Sequence, residues 1–205
     1  FICPSQFIAD KMIQGGFDKS KMHTLCNFID VEKCEEADYL KKDYYCYIGR
    51  ISHEKGIKTL IAAANRLPHK LVIIGKGPLD AEMKKLAGPN VEFAGFKQWN
   101  EIKRIVGQAR FCVIPSECYE NNPLSVIESQ CLGTPVLGAQ IGGIPELIQE
   151  GCNGLHFRSR DTDDMTAKIQ AMYDAPFDYP SIALEAKKRY NSETYYKQLI
   201  QLYNL

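Results

Sequence analysis

Four short segments carry the residues able to do chemistry. The first is Gly49-Arg50-Ile51-Ser52-His53-Glu54-Lys55-Gly56. It places two cations, Arg50 and Lys55, just past an apolar run and just before a helical pattern. Cations beside a helix N-terminus make an anion site, and a diphosphate suits it. Arg grips phosphate bidentately, whereas Lys supplies a point charge. The bland alternative is a pair of solvated surface residues, and the loop alone leaves both readings open.

The second segment runs from Ser116 to Glu128. Asn122 suits an N-cap and Pro123 a first helical position. Glu128 lies four residues after Leu124, three before Cys131 and four before Leu132, so it shares a helical face with apolar residues. A carboxylate there is costly without a partner. A ligand hydroxyl is one candidate, and a neighbouring Arg or backbone amide is the other. The third segment, Gly138 to Glu146, holds the pair Gly142-Gly143, which permits a tight turn or close approach to a ligand. The fourth, Gly75-Lys76-Gly77-Pro78, begins like a dinucleotide fingerprint and then fails, because Asp80 stands where the third Gly belongs.

Each segment follows a short β-rich run. Strands are expected at Tyr44–Ile48, Leu71–Ile74, Val91–Phe93, Phe111–Ile114, Pro135–Leu137 and Leu155–Phe157. Helical patterns fill the intervals at Thr59–Leu67, Pro78–Leu86, Gln98–Gly107 and Pro123–Leu132. Three more follow, near Thr162–Asp174, Ser181–Arg189 and Ser192–Asn204. Apolar strands alternating with helices imply an α/β fold, a Rossmann-like doubly wound parallel sheet covered on both faces. Six such units predict the order 3-2-1-4-5-6, with the loops after strands 1 and 4 opening into one crevice. The segment before strand 1, residues 1–31, reads as strand, helix, strand.

Composition limits the function classes. The 205 residues include 25 basic and 25 acidic side chains, a formal net charge of zero, which argues against a nucleic-acid partner. No apolar run reaches the ~18 residues a membrane span needs, and no secretory signal is visible. The abrupt opening on Phe1-Ile2-Cys3 suggests a piece of a longer chain. The eight cysteines lack CxxC spacing, and several lie in apolar runs, so free thiols in a reducing cytoplasm are expected. His23, His53, His69 and His156 show no ligand spacing, so no metal is assigned. Asp161-Thr162-Asp163 matches a metal-diphosphate DxD motif, but it opens a helix, where Asp is favoured as cap and dipole partner.

Taken in order, the motifs resemble the C-terminal, donor-binding domain of the large retaining glycosyltransferase family of GT-B fold. The most specific is E-x7-E, Glu120 to Glu128. With it stand Gly49-Arg50, Glu54-Lys55-Gly56, Gly75-x-Gly77-Pro78, Gly142-Gly143-Ile144-Pro145-Glu146, Gly151-x-Asn153-Gly154 and the opening Pro4-Ser5-Gln6-Phe7. The resemblance runs from about Phe1 to the C-terminus. It implies that residues 1–205 form the C-terminal half of a GT-B fold that binds a nucleoside-diphosphate sugar. Residues 1–31 would then be the junction to an N-terminal half that takes an acceptor sugar or lipid.

The resemblance also implies roles. Arg50 and Lys55 would hold the donor diphosphate, with Gly49 and Gly77 in the adjoining loops. Glu120 would contact hydroxyls of the transferred sugar, and Glu128 those of the ribose. Backbone amides of Leu124 and Ser125 would point at phosphate, and Phe96 would lie near the base. Asn121 and Asn122 stand where the family more often has Gly-Phe, which leaves the sugar preference open. Cys26-Asn27-Phe28-Ile29-Asp30 replaces the usual Pro-Asn-Gly-hydrophobic-Asp. Transfer with retention, without metal or cofactor, is the expected reaction, in the setting of polysaccharide biosynthesis. The expected location is cytoplasmic, with peripheral membrane attachment of a full-length protein left open and no membrane contact evident in this half. A sugar-nucleotide epimerase half-domain and a non-catalytic nucleotide-binding module are the alternatives.

Overall fold

The computed structural model describes residues 1–34 and 39–203. The chain opens with β1 (Ile2–Cys3), α1 (Gln6–Gln14) and β2 (His23–Thr24), and β1 pairs with β2 in parallel. Next come β3 (Tyr44–Ile48), α2 (Ile57–Ala64), β4 (Lys70–Ile74), α3 (Asp80–Leu86), β5 (Val91–Gly95) and α4 (Trp99–Gln108). They are followed by β6 (Cys112–Ile114), α5 (Leu124–Cys131), β7 (Val136–Ala139) and β8 (Gly154–Phe157). The chain then runs through α6 (Thr162–Asp174), α7 (Tyr179–Arg189) and α8 (Ser192–Tyr203). Asn204, the last residue expected in the final helix, lies outside the described residues.

Strands β3 to β8 form one parallel sheet in the order β5-β4-β3-β6-β7-β8. This is the order 3-2-1-4-5-6 expected from the alternation. Every one of its pairings is parallel, with Cys46 of β3 opposite Val72 of β4 on one side and Cys112 of β6 on the other. The chain therefore leaves β3 toward one edge and returns through β6 toward the other. That reversal opens a crevice at the carboxyl ends of β3 and β6.

Burial explains the strands. β6 and β7 are buried throughout and β4 in all but its first residue, because helices cover both faces. β5, at the edge, is only half-buried, and its Glu92 pairs with Lys70 at 2.7 Å. Tyr45 stacks on Phe111 at 5.0 Å between ring centres, inside a core that also holds Ile73, Ile127 and Phe157. Fully burying a side chain such as Ile73 stabilises the fold by roughly 1.5–3 kcal/mol. α2 packs against α6, and α5 against α7. Among the described residues no helix is long and apolar enough to cross a membrane.

Helix starts differ from the sequence expectation where a cap or a distant loop intervenes. α7 begins at Tyr179, because Asp178 accepts the Ser181 N–H at 3.1 Å and Pro180 fits the first turn. α3 begins only at Asp80. Pro78 lies in a turn that the Leu79 N–H ties to the Ile51 carbonyl at 3.2 Å. The largest correction is at α5. Asn122 does not cap it; Pro123 occupies that position and no side chain caps the helix. Asn122 is instead buried and bonded to the segment before β3.

Candidate functional site

The loops after β3, β4, β6 and β7 interlock at the carboxyl ends of their strands, and glycines make this possible. Gly56 has φ +66, and a Cβ there would sit 1.8 Å from the Pro115 carbonyl oxygen. Only Gly tolerates both constraints. The loop after β3 therefore lies directly on the loop after β6, where the Glu117 N–H donates to the Glu54 carbonyl at 2.8 Å. Thr59 reinforces the contact with a 2.6 Å hydrogen bond to Glu117 Oε1.

This contact brings Lys55 to Glu120. Lys55 Nζ donates to Glu120 Oε1 at 2.5 Å, and Ser116 Oγ donates to the same oxygen at 2.8 Å. Gly142 and Gly143 fix the Glu120 backbone from the other side. The Gly143 N–H donates to the Glu120 carbonyl at 2.7 Å, and a Cβ on Gly143 would meet the Asn121 carbonyl oxygen at 1.9 Å. The close approach read from the glycine pair is thus an approach to residues 120 and 121.

Arg50 is exposed, and its guanidinium makes no ion pair or hydrogen bond among the described residues. Its carbonyl accepts from the Tyr47 hydroxyl at 2.7 Å, which braces the turn at Gly49. Gly77 packs on the Ile51 backbone, where a Cβ would meet the carbonyl oxygen at 2.1 Å. Phe96 is 64% exposed at the end of β5. The Leu124 and Ser125 amides open α5 and have no partner within the helix. Glu128 is half-buried one turn further on, and burial pushes its carboxyl above the ordinary 4.5. No partner for that carboxylate exists among the described residues. The satisfied-core reading of Glu128 thereby loses its Arg or amide.

Asn121 is exposed beside Glu120. Asn122 turns away: its Oδ1 accepts the Asn27 N–H at 3.2 Å, and its carbonyl accepts from Asn27 Nδ2 at 3.2 Å. Pro4, Asn27 and residues Tyr119 to Pro123 line a cleft of about 330 Å³. A larger cavity, about 430 Å³, is lined by Gln130, Asn153, Arg189 and Tyr190 among others. It lies by the C-terminal end of α5 and the turn before β8, at the opposite end of the sheet, and none of the residues above borders it.

Sequence reasoning missed two residues here. Ser116 carried a signal only in its spacing, four residues before Glu120. Glu146 was legible as a motif residue without a role. Its two oxygens accept the Gln6 and Phe7 N–H groups at 2.8 and 2.7 Å, while Ser5 Oγ accepts that of Ile8 at 3.3 Å. Together they satisfy the open N-terminus of α1 and join residues 1–14 to the site.

The Asp161-Thr162-Asp163 motif opens α6 as expected. Asp161 Oδ1 accepts the Asp164 N–H at 2.9 Å, and Asp163 pairs with Arg66. No three His, Cys, Asp or Glu residues are grouped to hold a metal ion among the described residues. All eight cysteines are free thiols.

Comparison with known proteins shows the family and the fold. The profile of the family described as Glycosyl transferases group 1 matches residues 29–195. The sulfoquinovosyl transferase of Arabidopsis thaliana is 33% identical over 137 residues, covering 64% of this chain and 27% of that protein. The glycogen synthase of Mycobacterium tuberculosis is 29% identical over 157 residues, covering 72% and 38%. The chain thus spans less than half the length of these curated relatives. Among solved structures, Anabaena HepE in complex with UDP superposes with a TM-score of 0.88 at 19% identity, over all of this chain and 63% of that one. The sucrose-phosphate synthase of Thermosynechococcus elongatus gives 0.79 at 22% identity, over 99% and 57%.

Proposed function

The chain belongs to the group 1 glycosyl transferases, and from that premise we propose that it binds a nucleoside-diphosphate sugar and contributes the donor half of a sugar transfer. The observation that carries the reading is the Lys55–Glu120 pair, which ties the loop after β3 to the loop between β6 and α5. HepE is known in complex with UDP and with UDP-glucose, which supports a nucleotide-sugar ligand here.

In this reading Arg50 and Lys55 meet the diphosphate, and the Leu124 and Ser125 amides add fixed dipoles. They stabilise the negative charge that builds on the diphosphate as it leaves, and they need no metal to do so. Lys55 has three donor hydrogens, so it can hold Glu120 and a phosphate oxygen together. Glu120 faces the transferred sugar. Glu128 accepts from the ribose hydroxyls, which supply the partner its half-buried carboxylate lacks. Gly49 and Gly77 shape the loops around the diphosphate, and Phe96 covers the base. Asn121 lies within reach of the sugar, whereas Asn122 offers at most its backbone N–H, because Asn27 engages both its side chain and its carbonyl.

Residues 1–31 are the junction to an acceptor-binding half, and transfer with retention needs both halves. The test is a thermal-shift screen of the chain against UDP, GDP, ADP and their sugars. A rise in melting temperature with one diphosphate and its sugar is expected. No shift with any of them would overturn the reading.

A further inference from the structure

The two carboxylate oxygens of Glu120 are unequal. Oε1 accepts from both Lys55 and Ser116, at 2.5 and 2.8 Å. Oε2 has no partner among the described residues, and Glu120 lines the open cleft beside Asn27 and Tyr119. Ser116 is 3% exposed, so its hydroxyl is not a casual surface contact. Its position is set from two sides. The Ser116 carbonyl accepts from Ser159 Oγ at 3.1 Å, and the next residue, Glu117, is bound to Thr59 and Glu54.

The terminal torsion of a Glu side chain is soft. One donor on one oxygen leaves the carboxylate plane free to swing. Two donors converging on Oε1 from different segments remove that freedom and fix the direction of Oε2. Lys55 cannot do this alone, because it is a point charge on a flexible stem. In the proposed function it also shares its donors with the diphosphate. Ser116 is neutral, short and buried, so it stays in place when the diphosphate arrives.

We infer that Ser116 is a positioning residue for sugar recognition: its hydroxyl holds Glu120 Oε1 so that Oε2 stays directed at a hydroxyl of the transferred sugar. The inference rests on the donor reading above, and it assigns the discrimination between sugar nucleotide and bare diphosphate to a residue that touches neither.

The experiment is calorimetric titration of wild-type, S116A and S116T chains. The ligands are UDP with UDP-glucose, GDP with GDP-mannose, and ADP with ADP-glucose, and the pair that binds the wild type best is used throughout. S116A should bind the bare diphosphate as the wild type does and lose about fivefold on the sugar nucleotide, the scale of one net hydrogen bond. S116T keeps the hydroxyl and should restore the difference. If S116A does not fold, S116C serves in its place; its weak thiol donor should show the same selective loss. Equal losses for both ligands, no loss for either, or failure of S116T to restore the difference would overturn this inference and leave the donor reading standing. A wild type that binds none of the six ligands would overturn both.

Discussion

Lys55 Nζ and Glu120 Oε1 lie 2.5 Å apart although 65 residues separate them in sequence. In the proposed function this bond joins the group that meets the diphosphate to the group that faces the sugar. The pair is partly open to solvent, with side chains 31% and 17% exposed, so its coupling is worth about 1 kcal/mol or less. If the two residues hold the ligand as proposed, a coupling of that size links diphosphate binding to sugar binding.

The coupling gives Glu120→Gln two opposite effects. Removing the carboxylate charge leaves Lys55 more attractive to phosphate, so bare diphosphate should bind about two- to fivefold more tightly. The sugar nucleotide loses a charged hydrogen bond and should bind about tenfold more weakly. Calorimetry with both ligands measures the two shifts. Equal weakening of both would mean that Glu120 reads the nucleotide instead.

Glu128→Gln should weaken diphosphate and sugar nucleotide alike, by about tenfold, if the ribose is the partner of this carboxylate. It should also raise the melting temperature of the ligand-free chain at pH 7. Burial holds the folded carboxyl above its ordinary 4.5. The folded state then binds more protons than the unfolded state from about that pH up to the raised value, and stability falls as pH rises through this window. The advantage of the Gln variant should therefore disappear in acid, below the ordinary Glu range. Melting curves from pH 3.5 to 7.5 follow it, and a variant that melts lower at every pH would place Glu128 among satisfied core residues.

Glu146→Ala should release α1. It leaves the Gln6 and Phe7 N–H groups without their acceptors, and loss of such a cap costs about 1 kcal/mol. Amide hydrogen exchange across Gln6–Gln14 should quicken while exchange in β3 and β6 stays unchanged. Uniform acceleration would show that residues 1–14 and the sheet unfold as one unit.

Nucleotide binding should be indifferent to EDTA. In the proposed function Arg50, Lys55 and the α5 amides supply the positive charge, and Asp161 is occupied as a helix cap. A tenfold loss on chelation, about 1.4 kcal/mol, would contradict this.

Thiol titration should resolve the cysteines by burial. Cys152 is exposed and should react first, followed by Cys26 and Cys118. Burial pushes the Cys34 thiol up to about 11 and that of Cys131 up to about 12, which suppresses the reactive thiolate. With Cys3, Cys46 and Cys112, these two should react only on unfolding. A total below eight after denaturation without reductant would reveal a disulfide.

The succession of elements was legible in the residues themselves. Runs such as Tyr44–Ile48 and Leu71–Ile74 are apolar throughout and end at Gly, so each declares a buried strand and its stop locally. The motif residues likewise marked loops that the fold brings into contact, because Gly, Arg, Lys and Glu at fixed offsets are visible without coordinates. What the tertiary structure alone decided is who meets whom across loops. Asn122 has the composition of a helix cap, yet Asn27, 95 residues away, takes its side chain. Gly142-Gly143 announced a close approach without its partner, and the fold lays the pair against residues 120 and 121. Glu146 showed no local pattern that named its partners, the Gln6 and Phe7 amides about 140 residues away. The reason is physical: strand and helix signals arise from burial periodicity within a few residues, whereas a hydrogen bond between loops depends on the relative placement of strands far apart in sequence, which only the packed sheet fixes.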